Sequence, residues 1–293
     1  MFLLIGSNGY VGSAFVRHFE VIDLPFTTAN RRELGDYPDP SRLRTLIKNT
    51  SPEFVICAAG YTGKPNVDAC ERHRSACIAG NVVLPGLIAE ACAELDLPWG
   101  LVSSGCIYNG PGPDGSPGGF AESDPPNFSF RSPPCSFYSG SKALGEEVVM
   151  SVPGSRSYIW RLRIPFDSIP HPRNYLSKIM RYERLLEAEN SLSHLGDFVA
   201  SAIACHERQL PFGIYNLTNP GSVHTSQLAE MIREAGLCAK DFQFFDSEAE
   251  FMKSAAITPR SNCVLNTSKA ETAQLPMRPI EKVIAHALDN WQG

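Results

Sequence analysis

Short apolar runs alternate with stretches of helical spacing through the first half of the chain. Phe2–Ile5 is an unbroken apolar run and predicts a buried strand, and Gly9–His18 predicts the helix that follows it. Further strands are predicted near Leu24–Thr28 and over Phe54–Ala58, Trp99–Ser103 and Tyr158–Ile164. Helices are predicted over Ser41–Asn49, Val67–Leu95 (one long helix or a broken one, with Val83, Leu84, Leu87, Ile88 and Ala91 on one side) and Ala143–Val149. This β-α-β-α order predicts an α/β protein with a doubly wound parallel sheet covered on both faces. Past residue 165 the pattern is less regular. It predicts helices over Asn174–Glu187, Gly196–His206, Ser226–Glu234 and Ile280–Asp289, with short strands at Ile214–Leu217 and Phe242–Phe245. In the last helix Ile280, Val283, Ile284, Ala287 and Leu288 form an i, i+3, i+4, i+7 stripe. Gly110–Pro134 is rich in Gly and Pro, and a loop that long between a strand and a helix is expected to serve as a lid over a site.

Composition narrows the class. The chain has 293 residues, 43% hydrophobic and 19% charged, enough apolar material for a sizeable core and too much for a disordered chain. The formal net charge of −5 leaves no basic excess to neutralise phosphate backbones, so nucleic acid is not an expected partner. No membrane partner is expected either, because uninterrupted apolar runs stay short of a span. The nine cysteines show no C-x-x-C pair and the seven histidines no H-x-x-x-H, so neither a metal site nor a disulfide framework is expected. Met1–Ile5 is too short for a signal peptide and has no basic leader, so the expectation is a cytoplasmic protein with reduced thiols.

Directly after the first predicted strand comes Gly6-Ser7-Asn8-Gly9-Tyr10-Val11-Gly12. Gly6 allows a sharp turn out of the strand, Gly9 lets the backbone approach a pyrophosphate, and Gly12 permits close helix–sheet packing. The N–H groups that open the helix then face the anion. The strand–turn–helix context makes this G-x-x-G-x-x-G a dinucleotide site. Residues 1–165 therefore read as a Rossmann-type domain. Residues 166–293 read mainly as a small α/β substrate lobe over the sheet's carboxyl edge, with some segments returning to the sheet. NAD sites place an acid at the end of the second strand. Here Asn30, Arg31 and Arg32 stand there, and Asp23 falls before it. Unless they are plain solvated charges, the arginines can meet a 2′-phosphate, so NADPH is expected over NADH.

The strand Trp99–Ser103 leads into Ser104-Gly105-Cys106, and Tyr138-Ser139-Gly140-Ser141-Lys142 opens a later helix. Tyr and Lys four residues apart share a helix face. The ammonium is expected to lower the phenol's pKa, and the phenol to pass a proton to a carbonyl that receives a hydride. Ser104 would give that oxygen a second hydrogen bond. Y-x-x-x-K alone is a common accident; behind a glycine fingerprint and a Ser-bearing strand it is specific.

On these residues the chain resembles the extended, sugar-nucleotide-modifying branch of the short-chain dehydrogenase/reductases. Gly6, Gly9 and Gly12, the strand end Cys57-Ala58-Ala59-Gly60, Asn81, Ser104, Tyr138 and Lys142 all match. Thr62–Asp68, Gly105–Ile107, Pro126–Phe128, Ser136–Ser139, Pro172–Asn174, Arg181–Glu183, Tyr215–Gly221 and Pro259–Asn262 further resemble the nucleotide-rhamnose synthases. These include bifunctional UDP-4-keto-6-deoxyglucose 3,5-epimerase/4-reductases and the C-terminal part of plant rhamnose synthases. The resemblance covers nearly the whole chain and departs at Gly110–Gly119. It implies cofactor contacts at Asn8, Tyr10, Val11, Ala58, Ala59, Gly60 and Asn81, besides the glycines and the Tyr/Lys pair. It also implies a nucleotide-sugar substrate and a homodimer through sheet-flanking helices.

The resemblance implies Cys106 and Lys178 as an epimerising acid/base pair. A ketone at C4 of the sugar makes the C3 and C5 protons acidic, and inversion needs a proton acceptor on one face and a donor on the other. Taken alone, Cys106 reads as a buried apolar residue, and Lys178, with Asn174 and Arg181 on one helix face, as a solvated stripe. The related GDP-fucose synthases pair Cys with His, but here His171 precedes the helix and does not match. Asn66, Asn127, Phe128, Arg173, Asn174 and Arg260 are the expected substrate contacts. Two rivals stand beside this reading. One is a reductase alone, like dTDP-4-dehydrorhamnose reductase, which needs neither Cys106 nor Lys178. The other is a non-catalytic regulatory subunit, like that of methionine adenosyltransferase, which would not need Ser104, Tyr138 and Lys142.

Overall fold

A computed structural model describes residues 1–35, 39–115 and 118–293; the side chains of Arg31, Arg32 and Asp114 also lie outside the described part. Along the first half run β1 (Phe2–Ile5), α1 (Tyr10–Val21), β2 (Phe26–Ala29), α2 (Arg31–Leu34), α3 (Pro40–Thr50), β3 (Phe54–Cys57), α4 (Asp68–Arg72), α5 (Arg74–Ile78), α6 (Leu84–Glu94), β4 (Trp99–Ser104), α7 (Phe137–Ser151) and β5 (Ser157–Leu162). The second half holds β6 (Pro165–Phe166), α8 (Tyr175–Arg181), β7 (Arg184–Leu185), β8 (Glu189–Asn190), β9 (Ser193–His194), α9 (Leu195–Glu207), β10 (Gly213–Asn216), β11 (Val223–His224), α10 (Thr225–Glu234), β12 (Gln243–Phe244), α11 (Glu248–Ser254), α12 (Ser268–Thr272) and α13 (Ile280–Asp289).

Six strands form one parallel sheet in the order β2-β1-β3-β4-β5-β10. Every residue of β1, β3, β4 and β5 is buried, as expected of parallel strands covered on both faces. One face packs Phe15 and Phe19 of α1 and Phe198 and Ala202 of α9 on Phe54 and Trp160. The other packs Leu43 and Ile47 of α3 and Ile88 and Cys92 of α6 on Val55 and Trp99. A third apolar cluster joins α8, α10 and α13, including all five residues of the predicted stripe Ile280–Leu288. β10 returns from the second half to complete the sheet at its edge. The order reverses at β1, which opens a crevice at the carboxyl ends of β1 and β3.

Three differences from the sequence pattern have physical causes. The segment Val67–Leu95 is broken: α4 and α5 meet at His73, and a π turn over Ala79–Val83 separates α5 from α6. Pro85, in the first turn of α6, has no N–H to give the Asn81 carbonyl four residues back. The stretch Arg74–Glu94 has the length and mean hydropathy (1.6) of a membrane span, contrary to the reading from uninterrupted runs, but 61% of its apolar 18-residue window is buried within the protein. The predicted helix Asn174–Glu187 stops at Arg181, because Arg184 and Leu185 pair instead with Gln243 and Phe244. Glu187, beyond that end, accepts from the Ser226 N–H at 3.0 Å in the first turn of α10. Finally, the Gly/Pro-rich loop is pinned, not hanging free. Gly110 and Phe120 bridge to Cys263 and Leu265, and the Phe120 ring stacks on Tyr108 at 4.5 Å.

Candidate active site

The turn after β1 lies in the crevice. Gly6 has φ +94°, and a Cβ there would come within 2.5 Å of the Ala59 nitrogen, so the turns after β1 and β3 are packed on each other. A Cβ on Gly12 would fall 2.0 Å from the Gly6 carbonyl oxygen. Gly9 caps the 12-residue α1 with no side chain, and Asn8 and Gly9 are exposed. The opening N–H groups are thus left for an anion, an arrangement that fits a dinucleotide. Val11 and Ala58 pack on the core beneath. The Tyr10 ring crosses to the second half of the chain and stacks on His171 at 4.5 Å. Burial, then Asp167, pushes its phenol up. Asn30 follows β2 directly, and its N–H donates to Glu33 at 2.8 Å. Asp23 turns the chain before β2, away from the ribose position. Arg31 and Arg32 open α2 at the expected place, and their side chains lie outside the described residues.

Asn81 is set back from the crevice. Its Oδ1 accepts from Tyr61 N–H at 2.8 Å, and its Nδ2 donates to the Tyr61 carbonyl at 2.9 Å and Ser141 Oγ at 3.0 Å. The amide clamps the loop after Gly60 to α7.

α7 brings Tyr138 and Lys142 to the carboxyl end of β4. Ser136 caps the helix, accepting from Ser139 N–H at 3.0 Å, and Glu71 of α4 accepts from Phe137 N–H at 2.7 Å. The Ser104 hydroxyl faces the Tyr138 phenol and pulls its pKa back toward the ordinary value. Lys142 Nζ donates to the Val102 carbonyl at 3.0 Å. The expected lowering of the phenol's pKa is not what the site does. Burial, then the charge that Cys106 or Cys70 would carry, pushes Tyr138 well above its ordinary value, while burial pulls Lys142 down. Desolvation outweighs the lysine because the ammonium is directed at a backbone carbonyl. A phenol that holds its proton is the form needed to give one away.

Cys106 sits just past Ser104, whose Oγ accepts from the Cys106 N–H at 3.2 Å. Burial pushes the thiol up; Ser104, Arg163, Ser139 and Lys142 pull it back, in that order. Lys178 is pushed down to about 8, by burial first and then by Arg173 and Arg181. Lys178 in turn helps hold His171 down, after burial, Arg173 and Arg17. Among the described residues no hydrogen bond joins Lys178 to Cys106.

The expected substrate contacts divide. Arg173 and Arg260 reach from the second half of the chain to the segment after β3. Arg173 Nη2 donates to the Gly63 carbonyl at 2.5 Å, and Arg260 pairs with Asp68 at 2.6 and 2.8 Å. Asn66 lies beside them, its Oδ1 accepting from Asp68 N–H at 2.9 Å. Asn174 is a correction: it is fully buried, caps α8 through Leu176 N–H and donates to the carbonyls of Asp167 and Ile169. Phe128 is 4% exposed and built into the structure. The Asn127 amide is taken up by both backbone groups of Asn109. These three shape the loop and helix that frame the cleft.

Sequence reasoning missed the network beneath the site. Glu146, one turn past Lys142, pairs with Arg161 of β5 at 2.7 Å and accepts from Ser103 Oγ at 2.5 Å. Its position, four residues from Lys142 and eight from Tyr138, was the available signal. Arg163, whose guanidinium lies near Cys106, carried no signal in the chain.

A doubly wound sheet with its glycine turn at the switch point and a Ser/Tyr/Lys set on the neighbouring strand and helix defines an extended short-chain dehydrogenase/reductase. Residues 1–292 match the family described as the RmlD substrate binding domain, and the chain belongs to it. It is 34% identical over 274 residues to a bifunctional dTDP-4-dehydrorhamnose 3,5-epimerase/dTDP-4-dehydrorhamnose reductase of Arabidopsis thaliana, covering 92% of this chain and 86% of that protein. It is also 33% identical over 271 residues to a trifunctional UDP-glucose 4,6-dehydratase/UDP-4-keto-6-deoxy-D-glucose 3,5-epimerase/UDP-4-keto-L-rhamnose-reductase of the same plant. That match covers 92% of this chain and 39% of the longer protein. In fold it resembles the L780 UDP-rhamnose synthase of Acanthamoeba polyphaga mimivirus (TM-score 0.88, 24% identity, 99% and 98% of the two chains). It likewise resembles a dTDP-4-dehydrorhamnose reductase of Bacillus anthracis solved with NADP (TM-score 0.82, 18% identity, 99% and 97%).

Proposed function

We propose that this enzyme epimerises a nucleotide-4-keto-6-deoxyglucose at C3 and C5 and then reduces C4 with NADPH to give a nucleotide-L-rhamnose, with UDP as the nucleotide. The observation that carries the reading is the placement of Cys106 against the Ser104–Tyr138 pair at the carboxyl end of β4. A reductase needs the pair but not the thiol. The likeness to the bifunctional Arabidopsis protein supports the same reading.

Tyr138 and Ser104 hydrogen-bond the C4 oxygen and stabilise the enolate formed when a proton leaves C3 or C5. Lys178, at about 8, lies closer to neutrality than the Cys106 thiol, which burial holds up. That order favours the Lys178 amine as proton acceptor and the Cys106 thiol as donor from the opposite face. The glycine turn and the α1 N-terminus would hold the cofactor's pyrophosphate, and Arg31 and Arg32 its 2′-phosphate. The cofactor supplies the hydride for C4. Tyr138, kept protonated by burial, gives its proton to the resulting alkoxide, and Arg173 and Arg260 turn from Gly63 and Asp68 to the sugar diphosphate.

The test is a reaction in D₂O with NADPH and the 4-keto-6-deoxyglucose nucleotide. Deuterium should enter C3 and C5 of the product, because the group that reprotonates each carbon exchanges with solvent, while C4 keeps protium from the cofactor. Cys106→Ala or Lys178→Ala should suppress the label. A wild-type product with no deuterium at either carbon would leave a reductase alone.

A further inference from the structure

Arg163 follows β5 directly. The register of β4 with β5 sets Leu162 opposite Ser104, so Arg163 stands beside Gly105, next to Cys106. It is 6% exposed. Its Nη2 donates to Asn190 Oδ1 at 2.6 Å and to the Ser261 carbonyl, and its Nε is buried without a partner. Both acceptors are neutral. Arg161, two residues earlier and also buried, has Glu146 as its counter-charge; among the described residues no carboxylate pairs with Arg163. A buried guanidinium with no anion beside it is unfavourable unless an anion forms there.

Three acidic hydrogens lie within its field: those of Tyr175, Cys263 and Cys106. The Tyr175 phenol is held up by burial, and Thr225 pulls it back before Arg163 does. Cys263 Sγ donates its proton to the Gly105 carbonyl at 3.2 Å. Cys106 remains. The other groups that face it are Ser104 from β4, Tyr138, Ser139 and Lys142 from α7, and Cys70 from α4. Lys142 is the only other cation among them, and its ammonium is directed at Val102.

We propose that Arg163 is a positioning residue that stabilises the thiolate state of Cys106 through which each epimerisation passes. This rests on the epimerase reading above. When the Lys178 amine takes the carbon's proton, it becomes an ammonium and the electron pair moves to the C4 oxygen as an enolate. Cys106 then returns a proton to the opposite face of that carbon, the enolate charge is discharged, and the sulfur is left as thiolate. In the reverse sense the thiolate takes the proton and Lys178 returns one. Either way one negative sulfur is formed or consumed, and solvent restores both groups. Arg163 supplies that sulfur with the counter-ion it otherwise lacks.

The test reads Cys106 itself, without substrate. The rate of alkylation by iodoacetamide is followed against pH, peptide by peptide, in the full-length wild type, Arg163→Met, Arg163→Lys and Asn190→Asp. The last variant is isosteric and places the missing carboxylate against Arg163, so it quenches the charge even if Arg163→Met fails to fold. Arg163→Met and Asn190→Asp should move the Cys106 profile to higher pH by about one unit, roughly a tenfold loss of reactive thiolate at fixed pH. Arg163→Lys should stay near the wild type. In D₂O the two shifted variants should lose label at C3 and C5 about tenfold relative to ketone reduction. Profiles that overlay the wild type, or an Arg163→Lys shift as large as that of Arg163→Met, would overturn the assignment. A wild type that takes up no deuterium removes the epimerase reading instead, and the alkylation profiles still decide the coupling of Arg163 to Cys106.

Discussion

Glu146→Gln should be among the most destabilising isosteric changes in this chain. The Glu146 and Arg161 side chains are 2% and 3% exposed. Arg161 Nη2 and Nε donate to Glu146 Oε2 at 2.7 and 3.1 Å, and Arg161 Nη1 donates to Tyr108 Oη at 2.9 Å. Removing one charge of a buried pair strands the other, at about 3–5 kcal/mol. Gln keeps the side-chain shape and one oxygen for Arg161, which sets the expectation at the lower end, about 3 kcal/mol. For a chain of this size a loss of 1 kcal/mol lowers the melting temperature by roughly 2–4 °C, so the variant should melt about 6–12 °C below the wild type. The double variant Glu146→Leu/Arg161→Met removes both charges at similar volume and should recover most of that loss, short of about 1 kcal/mol for the Ser103 hydroxyl left without a partner, since Tyr108 still donates to the Asp124 carbonyl. Thermal melts followed by circular dichroism, at equal protein concentration, measure both. A single variant within about 2 °C of wild type, or a double variant no better than the single, would refute the claim that Arg161 depends on Glu146 for its charge balance.

Tyr138→Phe should leave NADPH binding close to wild type by fluorescence titration and cut ketone reduction about 10²–10⁴-fold; undiminished turnover would remove Tyr138 from the chemistry. Replacing Arg31 and Arg32 together by Ala should weaken NADPH by roughly 1.5–3 kcal/mol per lost contact and leave NADH nearly untouched, whereas equal losses for the two cofactors would mean the arginines do not read the 2′-phosphate. Lys178 has its pKa pushed down to about 8 by burial, Arg173 and Arg181, so its amine is scarce below that pH and plentiful above it. Exchange of deuterium into C3 and C5 should therefore rise about tenfold per unit as pH climbs toward 8 and then level, and a flat profile across about two units around that value would exclude Lys178 as the acceptor.

The strands and the glycine turn were legible because their signals are local. An apolar run such as Phe2–Ile5 has few ways to be buried, and Gly6 and Gly12 answer steric demands within a few residues of themselves. The stripe of α13 was legible for the same reason. Where the reading failed, a distant partner decided. Residues 184 and 185 leave the helix for a strand that lies almost 60 residues on, and Asn174, read as a substrate contact, is consumed by the carbonyls of Asp167 and Ile169. The acidity of Tyr138 was misjudged because spacing shows that Lys142 shares its helix face but not that the ammonium turns to Val102. Arg163 gave no warning at all: that no carboxylate pairs with it among the described residues shows only in three dimensions.

One helix ties these observations together. Along α7, Tyr138, Lys142 and Glu146 recur every four residues, so the phenol, the cation and the buried carboxylate form a single column. The carboxylate sits deepest, clamped to β5 by Arg161 and to β4 by Ser103. It favours the charged form of Lys142, which burial opposes. At the top of the column the helix is fixed by Ser136 and by Glu71 reaching from α4. The phenol is therefore placed by a helix anchored at both ends. The burial that makes the anchor tight is the same burial that keeps the phenol protonated. The carboxylate of the deep ion pair and the phenol thus lie on one helix, two turns apart.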